Sequence, residues 1–99
     1  MFGLWLFPKN SPLKPITKKE EQWAEQLPKE RKREYQHSRG YARFALSNLF
    51  KINALQIPLN SYPGKPPELG DGWGYISLSH CSNALLVAWS PAKVGIDIE

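Results

Sequence analysis

The chain has 99 residues, 41% hydrophobic and 22% charged with a net charge of +4, a balance that excludes a disordered tail. No run approaches the roughly 18–20 apolar residues of a spanning helix, and the apolar opening MFGLWLF lacks the basic segment and small-residue cleavage site of a secretory signal. Cys81 is the one cysteine, which excludes an intrachain disulfide and a multi-cysteine metal site and favours a cytoplasmic protein.

Phe2 to Phe7, rich in Phe and Trp and stopped by Pro8, reads as a short strand. Pro8, Pro12 and Pro15 make residues 8–16 a loop. Thr17 followed by Glu20 forms a capping-box pattern, which predicts a first helix from Lys18 to about Leu27 with Trp23 and Leu27 as its buried stripe. Pro28 suits the first turn of a second, short helix through about Tyr35. Ser38 is placed to cap a third helix from Arg39 to about Lys51, with Tyr41, Ala42, Ala45, Leu46 and Leu49 on its apolar side. Arg39 and Arg43, four apart, are expected to point the same way.

Beyond Ile52 the texture changes. Leu55 to Leu59 reads as a short edge strand because Pro58 cannot donate to a central ladder. Residues 60–74, rich in Pro and Gly, read as a loop. Three strand-like runs follow, Tyr75–Ser79, Ala84–Trp89 and Val94–Glu99, spaced for antiparallel hairpins. The order is a strand, three helices, then antiparallel strands: an α+β chain. Charge divides along the same line, with eleven Lys/Arg against five Asp/Glu in residues 1–51 and two against four in residues 52–99. The basic half is expected to face something anionic.

In the closing VGIDIE, alternation puts Val94, Ile96 and Ile98 on one side of a strand and Asp97 and Glu99 on the other. Two carboxylates so placed can converge on a hard cation such as Mg2+, which takes one or two protein carboxylates and fills its octahedron with water and phosphate. From those six residues alone the more ordinary explanation is the solvated acidic face of a half-buried strand, because such alternation is common. In SLSHC, Ser79 and His80 at a strand end can each donate to a phosphate, or simply stabilise a turn. As neighbours on a strand they point to opposite faces, which argues against a nucleophile–base pair. Lys65, between Gly64 and Pro66, presents a cation at a defined place. Lys29, Arg31, Lys32, Arg33, Arg39 and Arg43 make up either a solvated helix face or a surface for phosphate or an acidic protein.

Taken in order, SRGYARFAL, GKPPEL, ISLSHC, AWS and VGIDIE resemble the N-terminal half of the 4'-phosphopantetheinyl transferases of the two-lobed, surfactin-synthetase-activating type, over about residues 28–99. The resemblance implies one lobe of a pseudo-twofold fold. It also implies transfer of the phosphopantetheine arm of coenzyme A to a serine of an acyl or peptidyl carrier protein, with release of 3',5'-ADP. By motif, Asp97 and Glu99 would hold Mg2+ against the coenzyme A pyrophosphate and serve catalysis. Ser79 and His80 would contact coenzyme A phosphates, Lys65 the adenosine 3'-phosphate region, and Arg39 an adenosine phosphate. Lys29, Arg31 and Lys32 match the family's basic segment.

The family's second lobe supplies a further acidic metal ligand and a Trp–x–x–Lys–Glu helix, neither of which occurs in these residues. The expectation is a lobe that needs that missing half for activity and that otherwise self-associates through uncovered apolar surface. No membrane or nucleic-acid partner is expected. The rival reading is a small basic polyanion- or nucleic-acid-binding module using the basic helices and exposed aromatics.

Overall fold

A computed structural model describes residues 2–92. Its elements run strand β1 (Gly3–Pro8), helix α1 (Lys18–Glu25), helix α2 (Lys29–Phe50), a 3-10 turn (Ala54–Gln56), and strands β2 (Leu59–Asn60), β3 (Glu68–Leu69), β4 (Tyr75–His80) and β5 (Ala84–Ser90). The class is α+β with antiparallel sheets. The third hairpin strand expected over 94–99 lies outside the described residues.

Among the described residues two α-helices stand where three were expected. The second and third are one continuous α2, because nothing between Pro28 and Lys51 breaks it. Ser38 does not cap a new helix. Its hydroxyl donates back to the Tyr35 carbonyl at 3.1 Å and accepts from Arg39 Nη1 at 3.0 Å, so its polar needs are met inside a helix. Gly40, which should weaken the helix interior, is explained by a close approach: a Cβ there would lie 2.5 Å from the Lys14 carbonyl oxygen. The helix stops at Lys51, whose left-handed backbone (φ 60°) turns its N–H back to the Ser47 carbonyl.

α1 begins as its sequence predicts. The Thr17 hydroxyl accepts from the Glu20 N–H at 3.3 Å while the Glu20 carboxylate accepts from the Thr17 N–H at 2.9 Å. Its buried side is not Trp23 and Leu27, however, but Glu20 and Ala24. Trp23 is half-buried, edge-on to Tyr62. The edge strand expected from Leu55 is instead the 3-10 turn, opened by Asn53 Oδ1 accepting from the Leu55 N–H, and only Leu59–Asn60 pairs, with β3.

The main sheet has the order β1-β5-β4, all antiparallel. Its register puts Trp5, Phe7, Ile76, Leu78, His80, Leu85, Val87 and Trp89 on the face toward α2. There Leu85 and Val87 meet Tyr41 and Ala45, and Trp89 meets Ala42 and Leu46 together with Ile57 and Leu59. Both clusters draw on one side of α2, so the helix lies across the sheet with its first turns overhanging the end where His80 stands. The other sheet face carries Leu4 and Leu6, 59% and 66% exposed. Among the described residues no helix is long and apolar enough to cross a membrane.

Candidate functional site

Where the first half of α2 overhangs β4, a cavity of about 370 Å3 opens. α2 lines it with Arg31, Glu34, Tyr35, Ser38 and Arg39, spaced i, i+3, i+4, i+7 and i+8 so that they share one helix side. Opposite stand His80 at the end of β4 and the Pro63-Gly64-Lys65-Pro66 turn. Gly64 has φ 85°, a left-handed conformation that lets the turn reverse and present Lys65. Three separate segments thus bring Arg31, Arg39, Lys65 and His80 to one cavity.

Arg39 is its unusual member. It is 9% exposed, its guanidinium carbon lies 5.0 Å from the Tyr35 ring centroid, and Nη1 donates to Ser38. Nε is buried without a partner, and no carboxylate among the described residues pairs with the side chain. Burial pulls its pKa below the ordinary guanidinium value, with Tyr35 and Glu20 acting the other way. Arginine keeps its proton regardless, so a nearly buried charge is left uncompensated.

Arg43, one turn on, does not join it. Its guanidinium is taken up by Glu20 and by the carbonyls of Ala54 and Ile57 at 3.1 and 2.8 Å. The expectation that Arg39 and Arg43 present a common cationic stripe is therefore corrected: one is structural and the other faces the cavity.

The remaining expected site residues divide. Lys29 lines an adjoining cavity of about 510 Å3 with Lys9, Glu30, Arg33 and His37, and Glu34 and His80 border both cavities. Burial lowers the pKa of His37, whose Nε2 donates to the Pro8 carbonyl at 3.0 Å. Lys32 turns to Glu25 at 2.6 Å and does not line the Arg39 cavity. Ser79 pairs with Leu86 on the sheet face away from His80 and is not brought to that cavity. Asp97 and Glu99 lie outside the described residues. Among the described residues no group of three His, Cys, Asp or Glu side chains could hold a metal ion.

Sequence reasoning missed Glu34, Tyr35 and Ser38. The available signal was the i, i+4, i+8 recurrence of Arg31, Tyr35 and Arg39, which becomes visible only when α2 is read as a single helix. Comparison with protein-family models, curated proteins and solved structures gives no match to the chain.

Proposed function

We propose that this chain is the N-terminal lobe of a 4'-phosphopantetheinyl transferase and that the Arg39 cavity receives the 3'-phosphate of coenzyme A. The observation that carries the reading is the meeting of Arg31, Arg39, Lys65 and His80 in one cavity, with Arg39 nearly buried and lacking an anionic partner among the described residues. Burying a cation without a counter-charge is costly. A phosphate dianion supplies the missing charge. Lys65 and Arg31 add charge from the two sides, and His80 adds a ring N–H.

In the proposed reaction the serine hydroxyl oxygen of an apo carrier protein bonds to the phosphorus that bears pantetheine. The bond from that phosphorus to 3',5'-ADP breaks, and the hydroxyl proton leaves to a base or to water. Holding the adenosine end fixes the reacting pyrophosphate in place, which is the contribution of this lobe. Mg2+ would offset the pyrophosphate charge, and its expected ligands are Asp97 and Glu99. The exposed basic side chains of Lys29 and Arg33 at the start of α2 would steer an acidic carrier protein. The outer sheet face supports the same reading, since Leu4 and Leu6 form apolar surface of the kind a second lobe covers.

Calorimetric titration with coenzyme A and with 3'-dephospho-coenzyme A tests this. Coenzyme A is expected to bind about tenfold or more tightly, a gap of about 1.4 kcal/mol, and Arg39→Gln to erase the difference. Equal binding of the two coenzymes by the native chain overturns the reading. Salt-sensitive binding of oligonucleotides, with no preference for the 3'-phosphate, would support the polyanion-binding alternative.

A further inference from the structure

A phosphate site has no evident use for a carboxylate, yet Glu34 stands at the wall between the two cavities and lines both, as does His80. Its Oε1 is 3.7 Å from His80 Nε2, and its side chain is 57% exposed, so the position is not forced by core packing. An anion entering the Arg39 cavity would be repelled by Glu34 unless something offsets that charge.

The other charges facing His80 are mainly positive. α2 contributes Arg31 and Arg39 from one cavity and Lys29, Arg33 and His37 from the other, with Glu30 as a second carboxylate. Lys9 follows β1, and Lys65 stands on the turn at 63–66. From β5 the cross-strand neighbour is Leu85, which carries no charge. Burial, with Lys9 and Arg39, drives the His80 imidazole toward its neutral form, and Glu34 opposes them.

We propose that Glu34 is a positioning residue for a proton on His80, so that an anion entering the Arg39 cavity binds together with that proton. The proposal rests on the phosphate-binding reading of the cavity but not on the anion being coenzyme A. In the tautomer that carries its proton on Nε2, the nitrogen 3.7 Å from Glu34, the other nitrogen of a neutral ring is a lone-pair acceptor and repels anion oxygens. Protonation turns it into a donor. The proton comes from solvent, and the arriving anion and Glu34 together outweigh the surrounding cations. Glu34 thus costs some direct attraction and in return keeps His80 close to protonation, which makes the site pH-sensitive.

NMR pH titration of the two histidines tests this, with the His80 signal identified by its loss in His80→Gln. Sulfate is the probe, because it stays a dianion across the histidine range of about pH 5 to 8. Saturating sulfate is expected to raise the His80 pKa by about one and to leave His37 unmoved. By linkage, sulfate then binds about tenfold more tightly at the acidic end of the range than at the basic end. In the absence of sulfate, Glu34→Gln is expected to lower the His80 pKa, an effect that a purely structural role would not produce.

If sulfate leaves the His80 pKa unchanged, or does not bind, the coupling is overturned. An unchanged His80 pKa in Glu34→Gln overturns the part assigned to Glu34. Should His80 respond as expected while coenzyme A and its dephospho form bind equally, the coenzyme A reading falls and this inference stands.

Discussion

Glu20 and Arg43 form an ion pair at 2.7 Å with their side chains only 2% and 3% exposed, and this pair joins α1 to α2. The same carboxylate caps its own helix through Thr17 and accepts from the Ser61 hydroxyl, while the Ser61 carbonyl accepts from Tyr35 at 3.0 Å. Arg43 extends the network to the backbone at Ala54 and Ile57. One helical turn separates Arg43 from Arg39. The first is neutralised by a carboxylate at hydrogen-bond distance, whereas no carboxylate among the described residues pairs with the second, which faces the cavity instead.

Glu20→Gln keeps an acceptor for the cap but leaves Arg43 buried without a counter-charge. It is expected to cost about 3 kcal/mol in urea unfolding. Burial alone would raise the Glu20 carboxyl, but hydrogen bonds from Arg43, Ser61 and Thr17 hold it below the ordinary 4.5. A carboxyl depressed in the folded state contributes stability that is present above 4.5 and lost as pH falls through the lower folded value. The gap between native chain and variant should therefore narrow in acid. A gap that is constant with pH would refute the assignment.

Arg39→Gln should behave in the opposite way. Removing an unpaired, nearly buried cation is expected to leave Tm unchanged or raised, while affinity for a 3'-phosphate falls about tenfold or more. Thermal melts beside binding isotherms separate the two effects. A loss of stability as large as that of Glu20→Gln would mean that Arg39 is structural.

Gly40→Ala improves helix propensity by about 1 kcal/mol, yet its new methyl would meet the Lys14 carbonyl oxygen at 2.5 Å. The clash should win. The expected outcome is a net destabilisation of about 1–3 kcal/mol, with the loop at 9–16 displaced. A variant more stable than the native chain would show that the loop is not held against α2.

The outward-facing Leu4 and Leu6 bear on the self-association expected of the lobe. Replacing both with Lys is expected to shift sedimentation at high concentration toward the monomer without changing the unfolding midpoint by more than a few degrees, since surface substitutions cost about 0.5 kcal/mol or less. Association that is unchanged would place the sticky surface elsewhere.

Several elements were legible because their cause is local. The cap at Thr17 depends on residues within one turn, and β1, β4 and β5 announce themselves by composition and by the stops that bound them. The helix boundary at Ser38 was misread because a serine serves equally as a cap or as an interior residue that bonds back to its own helix, and only its surroundings choose. Glu20 was legible as a capping residue, but its second role as the partner of Arg43 was not, since 23 positions separate them.

Sequence by itself determined the mixed α+β class, the antiparallel pairing of the last two described strands and the basic character of the first half. Only the tertiary structure decided that α2 is unbroken, that Arg43 is used up internally, that Lys32 and Ser79 face away, and that Glu34 stands beside His80. The division has one physical reason. Propensity, capping and alternation act over a few residues, whereas the fate of a charge depends on which distant groups neutralise it, and that is set by how the helix is laid across the sheet.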